Sequence, residues 1–182
     1  MLGIKFLGGN FSRDEGFIKD LSMKRVVRDV LLMPLLPQLR DPHSEFLLLR
    51  SCMGISKTFF GLRTCQPNHM EKASIWFDKE LRRVVEDTVV GGGHLFRNLQ
   101  LRVVSLPIRF GALGLYSAVK VASYVFVVSR AQSWVLQDHI LRGSGIYDMD
   151  LDFDKAFDSL SIVIPDFNLS GFTRKDTVPP KA

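Results

Sequence analysis

The sequence predicts an all-α fold: a bundle of five to six helices with a short N-terminal strand and a disordered C-terminal tail. Two observations predict this fold. Apolar residues recur at helical spacing in several long segments, and helix-starting and helix-ending residues bound those segments. Hydrophobic residues make up 46% and charged residues 24% of the 182-residue chain, a balance typical of a folded globular protein.

The first element is a short strand over Gly3–Phe6, with a turn at Gly8-Gly9. No further strand is evident along the chain, so we expect its partner strands to lie outside this sequence. The chain is therefore expected to be a piece of a longer protein.

The first helix is expected to begin at a capping box formed by Ser12 and Glu15 and to continue to about Leu32. Pro34 and Pro37 end it, because proline lacks the backbone donor that a helix needs. Its core stripe follows the spacing i, i+3, i+4, i+7 and comprises Met23, Val26, Val27 and Val30. The opposite face carries Lys24, Arg25 and Arg28.

Asp41 and Pro42 are expected to begin a second helix that runs toward Thr64, with a kink or break favoured by Gly54 and Gly61. The remaining elements follow in order: a helix over Pro67–Val90 ended by Gly91–Gly93, a helix over His94–Val104, a loop over Ser105–Leu115, a helix capped by Ser117 that runs toward Arg142, a helix over Leu151–Ile164, and a polar tail. The apolar segment Val121–Val128 indicates a helix at the centre of the bundle.

Basic residues outnumber acidic ones by 24 to 19, which gives a net charge of +5. This excess fits contact with a nucleic-acid backbone, and a mildly basic surface without such a partner is the alternative. Two helix faces are candidates, the first-helix group already named and a second group with Trp76 beside it, Lys72, Lys79 and Arg83. Because Glu86 shares the second face, a solvated surface of mixed charge remains an alternative there.

Few residues are arranged for catalysis or metal binding. Cys52 and Cys65 are expected to be buried thiols rather than a disulfide, and no histidine or cysteine spacing indicates a metal site. No Ser/His/Asp or Cys/His arrangement indicates a nucleophile. Gly91–Gly93 lacks the residues of a phosphate loop and is expected to end a helix.

Carboxylates cluster near the last helix, at Asp148, Asp150, Asp152 and Asp154. Such a cluster can hold Mg²⁺, but acidic residues directly ahead of a helix also favour its positive dipole end. We interpret the cluster as a helix start. A metalloenzyme built on these four residues is the alternative, which a Mg²⁺ or Ca²⁺ binding assay distinguishes.

Three stretches, in this order, carry a likeness to a known family: GIKFLGG at Gly3–Gly9, LLLRSCMGISKTFFGLRTCQP at Leu47–Pro67, and SLPIRFGALGLYSA at Ser105–Ala118. Phe77-Asp78 and Leu81-Arg82 lie between them. Together they resemble the segment that follows the palm in non-LTR retrotransposon reverse transcriptases, as found in plant genomes. The resemblance covers the chain from about Gly3 to about Pro165.

The resemblance implies a thumb-like region that holds a template-primer duplex, RNA–DNA or DNA, through its backbone. Leu7 and Gly8 match the primer-grip motif, and Leu62-Arg63 and Leu106–Gly111 match landmarks beyond it. The implied regions are a primer-grip remnant (1–11), a thumb-like helical region (12–104), a loop with C-terminal helices (105–165) and a flexible tail (166–182). The expected nucleic-acid-binding residues are Lys24, Arg25, Arg28, Arg63, Lys72, Lys79, Arg83 and Arg109.

The family's catalytic aspartates precede the matching segment, so we expect no catalytic residue here, and Mg²⁺ only in an intact parent polymerase with its palm domain. The chain departs from the family at Ala112, where paired glycines are usual and alanine disfavours a positive φ. The alternatives are a helical interaction module and a genomic remnant without function. We expect an intracellular protein, cytoplasmic or nuclear, without a membrane partner.

Overall fold

The computed structural model describes residues 3–6, 9–12, 14–90, 98–141 and 151–172, and helices dominate them. The predicted all-α fold is therefore confirmed. The helices are α1 (Glu15–Val30), α2 (Pro42–Leu48), α3 (Phe59–Thr64), α4 (Pro67–Val90), α5 (Asn98–Val104), α6 (Ala118–Leu141) and α7 (Leu151–Val163). Within these ranges, no helix is long and apolar enough to cross a membrane.

The N-terminal strand is present, and its partner lies within the chain. β1 (Ile4–Phe6) pairs antiparallel with β2 (Gly9–Phe11), with Phe6 opposite Gly9. The expectation that all its partners lie outside the sequence is wrong, because Gly9–Phe11 forms a second strand that pairs with it.

The N-cap of α1 lies two residues after Ser12, the N-cap of the proposed capping box. Asp14 is the N-cap, and its Oδ1 accepts a hydrogen bond from the Gly16 N–H at 2.9 Å. Ser12 instead accepts from the Asp14 N–H. The predicted core residue Val27 is 40% exposed, because the buried stripe of α1 follows the i, i+4, i+8 row of Ser22, Val26 and Val30.

The predicted second helix is divided. Asp41 caps α2 as expected and accepts from the Ser44 N–H at 3.2 Å. After a π-helical turn over Leu49–Met53, the chain breaks at Gly54, which is extended with φ −71° and ψ −158°. A Cβ at Gly54 would lie 3.0 Å from the carbonyl oxygens of two preceding residues, so only glycine fits this break without a local shift. A 3₁₀ turn then leads into α3.

The chain forms two compact units, residues 1–122 and 123–182, whose boundary falls inside α6. The boundary predicted at residue 105 does not coincide with this division. In the first unit α1 packs along α4. Its largest fully buried side chains are Val26, Met33, Leu49, Leu62, Phe77, Val84 and Val85.

The second unit has its own apolar core, formed where α6 packs against α7. Its buried members are Phe126, Val127, Phe153, Ala156 and Leu160. Phe167 and Leu169 pack against this core, and the Phe167 ring meets Tyr124 edge to face at 5.7 Å. Packing therefore extends into the region predicted to be a flexible tail, of which residues 173–182 lie outside the described part of the chain.

Candidate nucleic-acid interface

Basic side chains of α1 and α3 share one surface, which we call the α1–α3 basic surface and define by Lys24, Arg25, Arg28, Lys57 and Arg63. On α1, the three basic residues are neighbours at spacings of one, three and four residues, and Lys24 and Arg28 are exposed. On α3 and the turn before it, Arg63 and Lys57 are exposed as well. Lys57 acts electrostatically on Asp29 of α1, which places the turn before α3 near the first-helix group.

A cation–π contact connects the two halves of this surface. The Arg25 guanidinium carbon lies 5.6 Å from the centre of the Phe60 ring, within the range in which a cation is attracted to an aromatic face. Phe60 is itself 45% exposed and precedes Arg63 by three residues on α3. An exposed aromatic ring among cations suits contact with sugars and bases beside a phosphate backbone.

One carboxylate lies among these cations. Burial raises the pKa of Asp29, and the positive charges of Arg28, Lys57 and Arg25 oppose that effect more weakly. Arg28, Lys57 and Arg25 therefore lie close enough to Asp29 to act on the same carboxylate, and the basic side chains of the surface outnumber it. The α1–α3 basic surface therefore has the charge expected of a polyanion-binding face.

The predicted group on α4 has a different environment. Lys72, Lys79 and Arg83 are all exposed, and the Lys79 ammonium lies 5.5 Å from the centre of the Trp76 ring. Arg83, however, forms ion pairs with Glu80 at 3.1 Å and Asp87 at 4.0 Å. This face thus has the mixed charge that the alternative interpretation expected.

The structure places the other predicted contact residues apart from these faces or leaves them undescribed. Arg109 is exposed in the 3₁₀ turn Ile108–Phe110, with its guanidinium 4.9 Å from the Phe110 ring centre. Leu7 and Gly8, the residues matching a primer grip, lie outside the described residues.

Asp78 of α4 holds the start of α6. Its carboxylate accepts hydrogen bonds from the Ser117 hydroxyl at 2.5 Å and from the backbone N–H groups of Ala118 at 2.6 Å and Val119 at 3.2 Å. The first N–H groups of a helix have no partner within the helix, so Asp78 acts as an N-cap supplied from another element. Ser117 also caps locally, as predicted, by accepting from the Lys120 N–H.

The surroundings of Asp78 act on its protonation in both directions. Burial raises the pKa of Asp78, and the hydrogen bonds from Ser117, Ala118 and Val119, together with the Lys120 charge, only partly oppose this. The Asp78–Ser117 hydrogen bond links Phe77-Asp78, which lies between the stretches of the family resemblance, to the stretch Ser105–Ala118.

A cleft of about 130 Å³ opens beside this network. We call it the Asp78 cleft. Its walls come from α4, α5, the following loop and the first turn of α6. Three basic side chains line it, Arg82, Arg102 and Lys120, and Asp78 is the carboxylate among its lining residues.

The loop that forms one wall of the cleft uses glycine where its backbone is left-handed. Gly111 has φ +78° and Gly114 has φ +66°. Ala112 is not among the positive-φ residues of the described chain. The departure from the family pattern at Ala112 therefore imposes no strain, because the adjacent glycine takes the left-handed position.

The predicted helix-start role of the carboxylate cluster is confirmed for Asp152 and Asp154, which lie in the first turn of α7. Asp148 and Asp150 lie outside the described residues. Among the residues that the structure does describe, no three His, Cys, Asp or Glu side chains are grouped to hold a metal ion. No disulfide joins the two cysteines; Cys65 is buried as predicted, whereas Cys52, predicted to be buried, is exposed on the π-helical turn.

Sequence reasoning did not identify the cleft residues Arg102 and Lys120 or the surface residue Lys57. No local pattern marks the pairing of Asp78 with Ser117, since the two residues are 39 positions apart. One signal for this network was available in the sequence. Asp78 lies next to the apolar stripe of α4, where a carboxylate needs a hydrogen-bonding partner.

Comparison of this chain with protein-family descriptions, with curated proteins and with solved structures finds no match.

Proposed function

We propose that this chain is a thumb-like region of a retrotransposon reverse transcriptase that binds a template-primer duplex through its phosphate backbone. It would hold the duplex without carrying out nucleotidyl transfer, which requires the carboxylates and Mg²⁺ of a polymerase palm. The family is proposed from the resemblance of the three sequence stretches to reverse transcriptases of this kind. The observation that carries the binding role is the α1–α3 basic surface.

Three properties of that surface support duplex binding. Its cations lie on adjacent elements, so they can meet successive phosphates rather than a single anion. The Arg25–Phe60 contact links a cation of α1 to an aromatic ring of α3, so part of the surface is arranged before a ligand arrives. Lys24 and Arg28 are exposed, so they can meet phosphates without a rearrangement of the helix.

Binding of this kind is independent of base sequence and sensitive to salt, because each neutralised phosphate releases counterions. The test is a fluorescence-anisotropy titration of the full chain with a 5′-hydroxyl RNA–DNA hybrid at two salt concentrations. We expect hybrids of unrelated sequence to bind equally, and the logarithm of the affinity to fall linearly with the logarithm of salt concentration. Absence of binding, or binding that is independent of salt, would refute the proposed function.

A further inference from the structure

The loop between α5 and α6, residues 105–117, exposes an aromatic ring to solvent. Phe110 is 66% exposed, and Ile108, two positions before it, is exposed as well. Phenylalanine is among the residues most often buried, because its large apolar ring gains free energy by leaving water. A ligand that covers the Phe110 ring would recover that free energy.

Backbone hydrogen bonds close this loop on itself. The Phe110 N–H donates to the Pro107 carbonyl at 2.9 Å, and the Gly114 N–H donates across the loop to the Leu106 carbonyl at 3.0 Å. Leu115, which follows, is buried and anchors the loop to the core. The ring is therefore carried by a backbone that is already ordered, and a ligand that binds it loses little affinity to ordering of the loop.

Arginine side chains lie beside the ring and beside the loop. The Arg109 guanidinium carbon lies 4.9 Å from the centre of the Phe110 ring, within the range of a cation–π contact. The Arg50 side chain reaches the loop from the π-helical turn, because its Cδ would lie 3.9 Å from a Cβ placed on Gly114. Both arginines are exposed, and residues 105–117 include no aspartate or glutamate. The loop thus combines an accessible ring with positive charge.

A nucleotide matches both features of the loop. Its base offers a flat π face that stacks on an exposed aromatic ring, and its phosphate is a negative group that guanidinium groups bind. An apolar segment of a protein would cover the ring but would gain nothing from the arginines, so the charge favours the nucleotide. In a duplex each base is already stacked and paired, so the face of a base is accessible in a single strand.

We infer that Phe110 is a stacking platform for an unpaired base of a single nucleic-acid strand, with Arg109 beside the ring to meet the phosphates of that strand. This goes beyond the proposed function, which concerns the phosphate backbone of a duplex at the α1–α3 basic surface. It does not depend on that function, since a strand can bind the ring without a duplex.

The direct test is a fluorescence-anisotropy titration of the full chain with labelled single-stranded oligothymidylate at constant ionic strength. We expect saturable binding that Phe110→Ala weakens about tenfold, within the range for loss of one stacked base. Phe110→Trp should retain the affinity, because indole also offers a face for stacking. The matched control is Ile108→Ala, which removes an exposed apolar side chain from the same loop and should bind like the unaltered chain. Far-UV circular dichroism verifies that the variants fold.

The salt dependence of binding distinguishes stacking from charge. Phe110→Ala removes no cation, so the affinity should fall while the slope of log affinity against log salt stays unchanged. A smaller slope would show that the variant had lost phosphate contacts instead, and it would overturn the stacking role.

Annealing the same oligothymidylate to oligoriboadenylate gives an RNA–DNA hybrid and separates the two proposals. Phe110→Ala should leave the affinity for the hybrid unchanged. Equal weakening of strand and hybrid, equal weakening by Ile108→Ala, or no saturable binding of the single strand would overturn Phe110 as a platform for an unpaired base. Binding of the strand at Phe110 without any binding of the hybrid would leave this inference standing and refute the proposed function.

Discussion

Replacing Asp78 with alanine should reveal how much of the fold depends on a cap supplied across the structure. Asp78→Ala removes the acceptor of three hydrogen bonds at the start of α6. Loss of a helix cap costs about 1 kcal/mol. The N–H of Ala118, a fully buried residue, would also lose its partner, at a cost of at least about 1 kcal/mol. We therefore expect a loss of about 2 kcal/mol in the free energy of unfolding.

Urea titration followed by far-UV circular dichroism measures this loss. Glu71→Ala is the matched control, because Glu71 is an exposed carboxylate on the same helix, and it should change the free energy of unfolding by less than about 0.5 kcal/mol. A loss for Asp78→Ala no larger than that of Glu71→Ala would show that the cap does not stabilise the protein.

The Asp78 carboxylate should also affect how the stability of the protein depends on pH. Burial raises the pKa of Asp78 above its ordinary value of 3.8, so the folded protein holds this proton to higher pH than the unfolded chain. The stability of the unaltered chain relative to Asp78→Asn should therefore decrease as pH rises from 3.8 through the raised pKa. Urea titrations spaced between about pH 4 and about pH 7 test the sign; an increase across this range would contradict it.

Three further outcomes follow from single residues. The Ser44 hydroxyl holds the pKa of Asp41 below 3.8. The stability advantage of the unaltered chain over Asp41→Asn should therefore be present above pH 3.8 and disappear as the pH falls through the lowered pKa. Urea titrations that show no loss of this advantage in acid would contradict the prediction. Phe77→Ala should cost about 3–5 kcal/mol of unfolding free energy, because Phe77 is fully buried. Ile75→Ala, at an exposed position on the same helix, should cost much less, and equal losses would refute the assignment of the core. Gly111→Ala should cost about 1 kcal/mol and lower the melting temperature, since its φ of +78° disfavours a side chain.

The elements that the sequence predicted well are those with local boundaries. Proline at position 67 begins α4, and the helix continues to Val90 as its apolar spacing indicated. Asp41 caps α2 for the same reason, because the cap and its partner Ser44 are three residues apart. Periodicity and capping are properties of a short segment, so they can be inferred without knowledge of the tertiary structure.

The features that the sequence did not predict depend on distant neighbours or on exact backbone conformation. The break at Gly54 agrees with the expected kink or break, but the π-helical turn that precedes it was not predicted, because no residue pattern indicates such a turn. Val27 fits the periodicity of a core residue, yet the packing direction of α1 leaves it exposed. Arg25 was predicted to face nucleic acid, but its position over Phe60 depends on how α3 packs beside α1.

The candidate site shows the same division. The basic residues of α1 were evident from helical spacing, whereas the position of Lys57 near them depends on the tertiary fold. The Asp78 cleft combines residues from four parts of the chain, and no sequence motif predicts it.

The central claim, that the α1–α3 basic surface binds a duplex backbone, is tested most directly by the salt dependence of a charge-removal variant. The variant replaces Lys24, Arg28 and Arg63 with glutamine and leaves Arg25 on Phe60; its control carries the same changes at Lys72, Lys79 and Arg83. Plots of log affinity against log salt for an RNA–DNA hybrid should lose about 0.9 in slope for each phosphate contact removed. We expect this loss in the α1–α3 variant and a smaller one in the control; an unchanged slope in the α1–α3 variant would contradict the claim.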